Sequence, residues 1–399
     1  MPCFRSDFAM PDVNPNPYPS KKILAGIVLQ ALLPAAHAGS LMVNSDADPI
    51  SGNALSCASG NANTCSLRDA LATAGTGDTI GFSSDMTIVL KNNHSLTLSS
   101  DVTITGSGHS VVLDGNHVVP VVKVNQGVAA TLDHLGIQHG SGVGGGGIFN
   151  MGVLTLSYST VVDNNYPVGA GIYNSGSITI SNTTIARNWS GGAGGGIVNR
   201  KISGSIGSLT LIDSTVSGNR GVWGGAIANY DGNVDVTNST LSGNDAGDGA
   251  DVRNNHGNVT IVNSTLAGNR SSAGAGLSTI YGTTSLANTI VADGCTGGAI
   301  TDLGGNLDSG ATCAFTSPSS SSNAALDLGP LQYNGGNTQT MLPGAASVAL
   351  DSGLDSVCSS VRVGNQDQRG VSRPQGAHCD TGAVEVAGDA IFAGNFGDK

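Results

Sequence analysis

A glycine-rich phrase that returns along the middle of the chain constrains the fold more than any other feature. It reads Gly-Gly-Gly-Gly-Ile-Phe-Asn at residues 144–150 and returns five times in related form. The central apolar residues lie 24, 25, 30, 25 and 25 residues apart. Such a period indicates a solenoid, because one repeat cannot bury its apolar face alone and must stack on its neighbours. These central residues are Ile148, Ile172, Ile197, Ile227, Val252 and Leu277.

Each repeat contains two further strand-like segments, so three short strands form each coil. One segment alternates apolar and polar residues, and the other pairs Ser or Thr with Thr before an apolar residue. We therefore expect an all-β, single-stranded, right-handed parallel β-helix over residues 78–293. An Asn closes the Thr-containing segment, and its amide is expected to bond the Asn of the next coil. These residues are Asn164, Asn188, Asn219, Asn244 and Asn269.

The N-terminal region predicts an export signal followed by a cap. Residues 1–38 contain Lys21 and Lys22, an apolar run and a small-x-small cleavage site, which together are typical of a signal peptide. Residues 39–77 are expected to form an extended lead-in and one short amphipathic helix. Ser66 is its predicted N-cap, with Asp69 three residues later as the acidic partner. Such a helix would cover the open first coil.

The cysteines agree with export. Six remain beyond the signal segment, in three sequence-local couples, and an even count in an exported chain predicts disulfides. Nearest-neighbour pairing predicts Cys57–Cys65, Cys295–Cys313 and Cys358–Cys379. Zinc binding is the rival interpretation, but CxxC pairs are missing. Residues 294–386 are expected to form a disulfide-containing C-terminal segment, and residues 387–399 an exposed tail.

The amino-acid composition limits the classes of partner and site that can be expected. The formal net charge is −12 and no basic patch is evident, so nucleic acid is not an expected partner. No segment beyond the signal is long and apolar enough to predict a transmembrane helix. Glu385 is the one Glu in the chain, so any pair of catalytic carboxylates must consist of Asp residues.

Two end segments resemble a family of exported bacterial proteins. Cys-Ser-Leu-Arg-Asp-Ala at residues 65–70 resembles the CSLREA motif, with Asp69 in place of Glu. The tail, with Gly-Gly-Asn-Thr-Gln-Thr at 335–340 and Asp-Gln-Arg-Gly at 367–370, resembles the choice-of-anchor Q domain. The repeats are similar to polymorphic outer-membrane-protein repeats. The resemblance implies an exported or surface pectate-lyase-like right-handed β-helix, with no known activity attached.

The densest acidic group predicts one candidate site. Asp245, Asp248 and Asp251 are expected at one corner of one coil, with Arg253 and His256 nearby. Oxygen ligands on a loop suit Ca²⁺, and a lyase could use Arg253 as a base beside that ion. The alternative is a solvated turn without a ligand. Calcium is the single cofactor that the sequence brings into consideration.

A second candidate site combines aromatic and basic residues beside the Asn corners. Aromatic side chains along a groove can hold sugar rings, and arginines can supply charged contacts. The alternative is that loops of adjacent coils pack their aromatics on one another. The residues of this candidate surface are Tyr166, Trp189, Trp223, Arg187, Arg220 and Arg270.

These observations favour a secreted or surface-associated scaffold that binds polysaccharide or cell-surface glycans without catalysis. The first alternative is a polysaccharide-active enzyme, a lyase or a glycoside hydrolase, working at one of the two candidate sites. The second is a purely structural surface protein. The sequence leaves the ligand, the anchoring route and the oligomeric state open.

Overall fold

The computed structural model describes residues 39–54, 56–57, 64–91, 93–142, 144–202 and 206–387. The predicted signal peptide and nearly all of the predicted tail lie outside these residues. The described chain winds into a parallel β-helix, with three sheets of short strands along its length. Each pairing between neighbouring coils within these sheets is parallel, as the repeat predicts.

The first sheet has 11 strands within the described ranges. In sheet order they are Ser40–Val43, Asp78–Phe82, Val102–Thr105, Ala129–Asp133, Val153–Ser157, Ser177–Ser181, Ser208–Ile212, Asn233–Thr237, Asn258–Val262, Thr283–Ala287 and Ile300–Asp302.

The second sheet carries the glycine-rich phrase and has nine strands in the described part of the chain. They are Leu96–Leu98, Val122–Val124, Ile148–Asn150, Ile172–Asn174, Ile197–Arg200, Ile227–Tyr230, Val252–Asn255, Leu277–Ile280 and Cys295–Gly297.

The third sheet has 10 strands among the residues described. They are Met86–Val89, Val111–Asp114, Leu135–Gln138, Thr160–Val162, Thr184–Ala186, Thr215–Ser217, Thr240–Ser242, Thr265–Ala267, Ile290–Val291 and Leu307–Asp308.

The apolar residues that define the sequence period form one continuous column inside the coil. Ile148 pairs with Ile172, and the register continues through Ile197, Ile227 and Val252. Each of these side chains is fully buried. Because successive side chains of a strand point to opposite faces, the alternating residues of all three sheets fill the interior.

Two columns of buried Asn follow the axis and confirm the predicted amide ladder. Nδ2 of Asn188 donates to Oδ1 of Asn219 (2.9 Å), and Asn219 continues the chain to Asn244 (3.0 Å). A second ladder connects Asn150, Asn174, Asn199, Asn229 and Asn254. The ladder residues themselves do not adopt the left-handed backbone that Asn tolerates at tight corners. In the first ladder, the preceding residue does so, as at Arg187 with φ of 55°.

Glycine serves the other corner, as expected. Gly194 has a φ of 62°. A Cβ there would lie 2.3 Å from Cγ2 of Val198, so the close approach leaves no room for a side chain.

The first coil is capped as the sequence predicts. A helix spans Leu67–Thr73, and Ser66 forms a capping box with Asp69. The lead-in contributes the strand Ser40–Val43, which pairs with Asp78–Phe82 and extends the first sheet.

At the other end, strand pairing continues beyond the predicted boundary at residue 293. Cys295–Gly297, Ile300–Asp302 and Leu307–Asp308 each add a strand to one of the three sheets. The disulfide Cys295–Cys313 therefore lies on the last coil.

Residues 324–387, here called the clasp, fold back along the outside of the third sheet. They include one short helix, Asp355–Cys358. The clasp reaches from the last coil, where Leu354 meets Asn288, to a coil near the middle, where Asn337 donates to Asn182. As a result, Thr215, Thr240 and Thr265 are buried although their side chains point away from the interior of the coil.

The three predicted disulfides are all present: Cys57–Cys65, Cys295–Cys313 and Cys358–Cys379. Three such bonds indicate an oxidising environment. Among the described residues, no helix has the length and apolar character needed to cross a membrane.

Candidate functional site

A fourth, short sheet carries three of the six predicted aromatic and basic residues, Arg220, Trp223 and Arg270. Its strands are Arg220–Trp223, Asp245–Asp248 and Arg270–Ser271, all parallel. They follow the Asn corners, where each coil inserts a loop between its third-sheet and second-sheet strands. We call the outer surface of this sheet the edge groove.

The pairing register aligns one predicted residue from each of four coils. Trp189 bridges to Arg220, Arg220 pairs with Asp245, and Asp245 pairs with Arg270. Residues in register lie about 4.8 Å apart along the axis, so the column spans about 14 Å. In this column, sequence-predicted aromatic, basic and acidic residues follow one another on adjacent coils.

The edge groove is open and has a flat floor. Its volume is about 340 Å³, and its walls include Trp189, Arg220 and Asp245. Gly191, Gly221 and Gly247 also line it, so the backbone itself forms part of the floor. The indole of Trp189 is 49% exposed, which leaves an accessible aromatic face beside the charged pair.

The arginines differ in how strongly they are held. Arg187 makes two bonds to the carboxylate of Asp163, at 2.9 and 2.7 Å, which raise the pKa of its guanidinium. Arg220 lies 3.7 Å from Asp245 in an exposed ion pair. Arg270 makes no ion pair with any residue in the described ranges. Arg220 and Arg270 are therefore less strongly held by carboxylates than Arg187.

Trp223 belongs to a different environment from Trp189. The guanidinium of Arg253 lies 5.8 Å from the Trp223 ring and 5.7 Å from the Tyr230 ring. Arg253 is fixed further by Asp248, 2.9 Å from its Nε. Trp223 therefore packs on Arg253 of its own fold, although 47% of it remains exposed.

Tyr166 is also displaced from the column. The backbone partner of Trp189 in that coil is Asn165, and neighbouring residues of an extended strand face opposite sides. The three aromatic residues predicted as one surface are thus separated, and Trp189 is the one that lines the edge groove.

The three carboxylates of the predicted calcium site do not converge. Asp245 lines the groove, Asp248 binds Arg253, and Asp251 points into the interior with no exposed surface. Within the described residues, no group of three or more His, Cys, Asp and Glu side chains could hold a metal ion. The separation arises because Asp245 and Asp248 lie on the strand Asp245–Asp248, whereas Asp251 lies beyond its end, in the bend before Val252.

The two residues predicted beside that cluster have other contacts. Arg253 is held between Trp223 and Tyr230 and bonded to Asp248, so it is not free to act as a base. His256 lies at a corner with φ of 62° and stacks near Tyr281, with ring centroids 5.0 Å apart.

Asp251 and Asp293 form a buried acidic pair that the sequence did not reveal. Burial, reinforced by Asp293, raises the pKa of Asp251 well above its ordinary value. Neither oxygen of Asp251 has a hydrogen-bond partner among the described residues. Asp293 ends the first Asn ladder by accepting a bond from Nδ2 of Asn269 (2.8 Å). The signal was present in the sequence: Asp251 occupies a repeat position that otherwise carries Gly or Ala.

Comparisons with known proteins support the fold alone. No protein-family model and no curated protein matches the chain. The crystal structure of pectate lyase Pel9A is similar to it, with a TM-score of 0.50 and 14% sequence identity. The match covers 87% of this chain and 96% of that one. At this identity the likeness extends to a parallel β-solenoid and not to the chemistry of a site.

Proposed function

We propose that the protein is an exported or surface-associated scaffold that binds polysaccharide or cell-surface glycans along the edge groove without catalysis. The observation that carries the proposal is the exposed indole of Trp189, aligned with Arg220, Asp245 and Arg270 in one open groove. A sugar ring can stack on the indole while its hydroxyl groups bond the charged side chains.

The absence of a second carboxylate in the groove favours binding over hydrolysis. Glycoside hydrolases need two carboxyl groups about 5 to 9.5 Å apart. Among the described residues that line the edge groove, Asp245 is the one acid, and Arg220 lies beside it. A lyase would need a free base, and Arg253 is engaged by Asp248.

The test is a panel of neutral and acidic polysaccharides, with binding measured by affinity electrophoresis in the presence and absence of Ca²⁺. We expect Trp189→Ala to weaken binding about 5- to 30-fold, because the stacked aromatic contributes about 1 to 2 kcal/mol. Trp223→Ala is the matched control, since that indole lies outside the groove lining. Its binding should stay within twofold of the unaltered protein.

The same incubations detect the alternatives. New reducing ends or unsaturated products would contradict the non-catalytic proposal and favour a polysaccharide-active enzyme. Failure to bind any polysaccharide would favour a purely structural role. Equal loss of binding in the two tryptophan variants would place the ligand elsewhere.

A further inference from the structure

The interface between the clasp and the third sheet is polar along much of its length. Gln368 lies at its centre, where Nε2 donates to Thr215 Oγ1 (3.0 Å) and Oε1 accepts from Thr240 Oγ1 (2.6 Å). Thr338 Oγ1 donates to the carbonyl of Asp213 (3.2 Å), and Asn238 Nδ2 donates to the carbonyl of Gln366 (3.0 Å). Directional bonds of this kind suit reversible docking better than an apolar core does.

Apolar packing is confined to the other end of the clasp, at the last coils. Val363 and Val357 pack on Val262 and Ala287 of the solenoid. A second small cluster joins Leu326 and Ala349 to the last two third-sheet strands. We call residues 332–340 and 366–373 the polar arm, because they meet the solenoid mainly through hydrogen bonds while these clusters hold the rest of the clasp.

Unpaired polar atoms collect under the polar arm. Buried oxygens of Asp213 and Asn238, on two consecutive coil corners, have no hydrogen-bond partner among the described residues. Across the interface, the buried Nε of Arg373 is also unpaired within that part of the chain. Each such group costs about 1 to 3 kcal/mol relative to a hydrated one, so opening the arm to water recovers free energy.

Asp213 is the titratable member of this row. The charged groups that face it from the clasp are Asp367 and Arg373, and on its own side Asn238 is its polar neighbour. Asp367 is held by two bonds from Arg369, so its negative charge is fixed close to Asp213. Burial, with a smaller contribution from Asp367, raises the pKa of Asp213 to about 6.

We propose that the polar arm is a reversible latch, closed on the third sheet in acid and released as the medium becomes neutral. Protonated Asp213 is uncharged and tolerates burial opposite Asp367. Ionised Asp213 adds an unpaired negative charge to the interface. Opening of the polar arm exposes this charge to water.

The sign follows from proton binding. With the arm open, Asp213 is hydrated and has an ordinary pKa near 3.8, whereas with the arm closed its pKa is about 6. The closed state therefore binds more protons between these values, and closure weakens as pH rises through that window. Each unit of difference is tenfold, so the opening equilibrium should rise about 10- to 100-fold between pH 4 and pH 7.

Hydrogen–deuterium exchange with mass spectrometry on the whole chain tests the proposal. Peptides covering 332–340 and 366–373 are compared at pH 4.5 and pH 7.5 after correction for intrinsic exchange rates. Peptides covering Val102–Thr105, a first-sheet strand near the N-terminal end of the described solenoid, serve as the internal reference. We expect opening of the arm to increase at least tenfold at the higher pH while the reference stays constant.

Asp213→Asn is the decisive variant, because Asn occupies the equivalent corners at 182, 238 and 263 with the same left-handed backbone. It should keep the arm closed at both pH values. Asp213→Ser provides a second uncharged variant if the first fails to fold.

Asp235→Asn is the matched control. Asp235 bonds Arg362 across the same interface but is partly exposed. This variant should retain the tenfold pH response. A pH-independent opening in the unaltered protein, or an unchanged response in both Asp213 variants, would overturn the proposal.

Discussion

Asp251 departs from the small residues found at its repeat position in the other coils, yet the coil keeps its fold. The equivalent positions in the other regular coils are Gly147, Gly171, Gly196, Ala226 and Gly276, and all are Gly or Ala. Asp251 fits because Gly276 leaves space beside it: a Cβ on Gly276 would lie 2.2 Å from Oδ2 of Asp251. Burial and Asp293 both raise the pKa of this carboxyl, which favours its neutral form.

Replacing this acid should stabilise the protein. Asp251→Ala restores the residue of the preceding coil and removes an unpaired polar group, so we expect a gain of about 2 kcal/mol in the free energy of unfolding at pH 7.5. Because the pKa of Asp251 is higher in the folded state than its unfolded value near 3.8, this residue destabilises the folded state as pH rises above about 3.8. The gain in stability from Asp251→Ala should therefore shrink toward pH 4.

Chemical denaturation at the two pH values measures this gain. A variant that is less stable than the unaltered protein at pH 7.5 would contradict the assigned role. It would mean that Asp251 makes a stabilising contact inside the coil.

At the scale of an element, the Asn ladder connects coils that share few other polar contacts inside. Asn219 takes part in several bonds: its Oδ1 accepts from N and Nδ2 of Asn188, and its Nδ2 donates to Asn244 and to the carbonyl of Ile185. Each coil of a solenoid contacts only its neighbours, so a broken link weakens one junction and not the whole rod.

Asn219→Ala should therefore cost about 2 to 4 kcal/mol, because it leaves buried donors and acceptors on both neighbouring coils unpaired. Asn258→Ala is the matched control: its Nδ2 bonds Asn233 one coil away (3.0 Å), but on the exposed face. We expect that change to stay within about 0.5 kcal/mol.

Thermal and urea unfolding compare the two variants, and local hydrogen exchange locates the weakened junction. Equal effects from the buried and the exposed Asn would contradict the argument, because burial is what makes an unpaired amide costly.

For the whole molecule, the shifted pKa values of the carboxyl groups predict that the folded state is most stable at acidic pH. Burial raises the pKa of Asp213 and of Asp380 to about 6, and it also raises the pKa of Asp251 and Asp293. The folded state therefore binds extra protons above pH 4, and stability falls as pH rises from about 4 to 6. As pH falls toward the isoelectric point, the net charge of −12 becomes smaller and its self-repulsion weakens. This effect also makes the folded state more stable in acid.

A second group of carboxyls sets the lower pH limit of this stable range. The pKa values of Asp69, Asp114, Asp133 and Asp302 are lowered, because hydrogen bonds from neighbouring groups outweigh the opposing effect of burial. Their contribution is lost as pH falls below about 4.

We expect the melting temperature, measured by calorimetry across the pH range, to peak between about pH 4 and 5. A peak at pH 7 or above would show that the buried acids are ionised at little cost. The Asp213→Asn and Asp251→Ala variants should each flatten the decline between pH 4 and 7.

The sequence alone determined the architecture, because a β-helix records its geometry in local repetition. The spacing of Ile148, Ile172, Ile197 and Ile227 predicted both the period and the register that the sheet pairing shows. Capping by Ser66 and the Asn ladder followed from side-chain chemistry over short distances.

The candidate site required tertiary structure. Three Asp residues spaced by three positions suggested a shared cation, but the bend after Asp248 and the ion pair with Arg253 place them in three environments. Trp189 and Trp223 likewise follow similar corners and face different surroundings, since one lines the groove and the other packs on Arg253.

The docking of the clasp also lay beyond what the sequence could determine. Gln368 bonds Thr215 and Thr240, more than 120 residues earlier in the chain, and no periodic signal encodes such a contact. Local repetition fixes a coil and its stacking, whereas the meeting of a non-repetitive segment with one face of the rod depends on complementarity of shape and charge. Only the folded chain decides that.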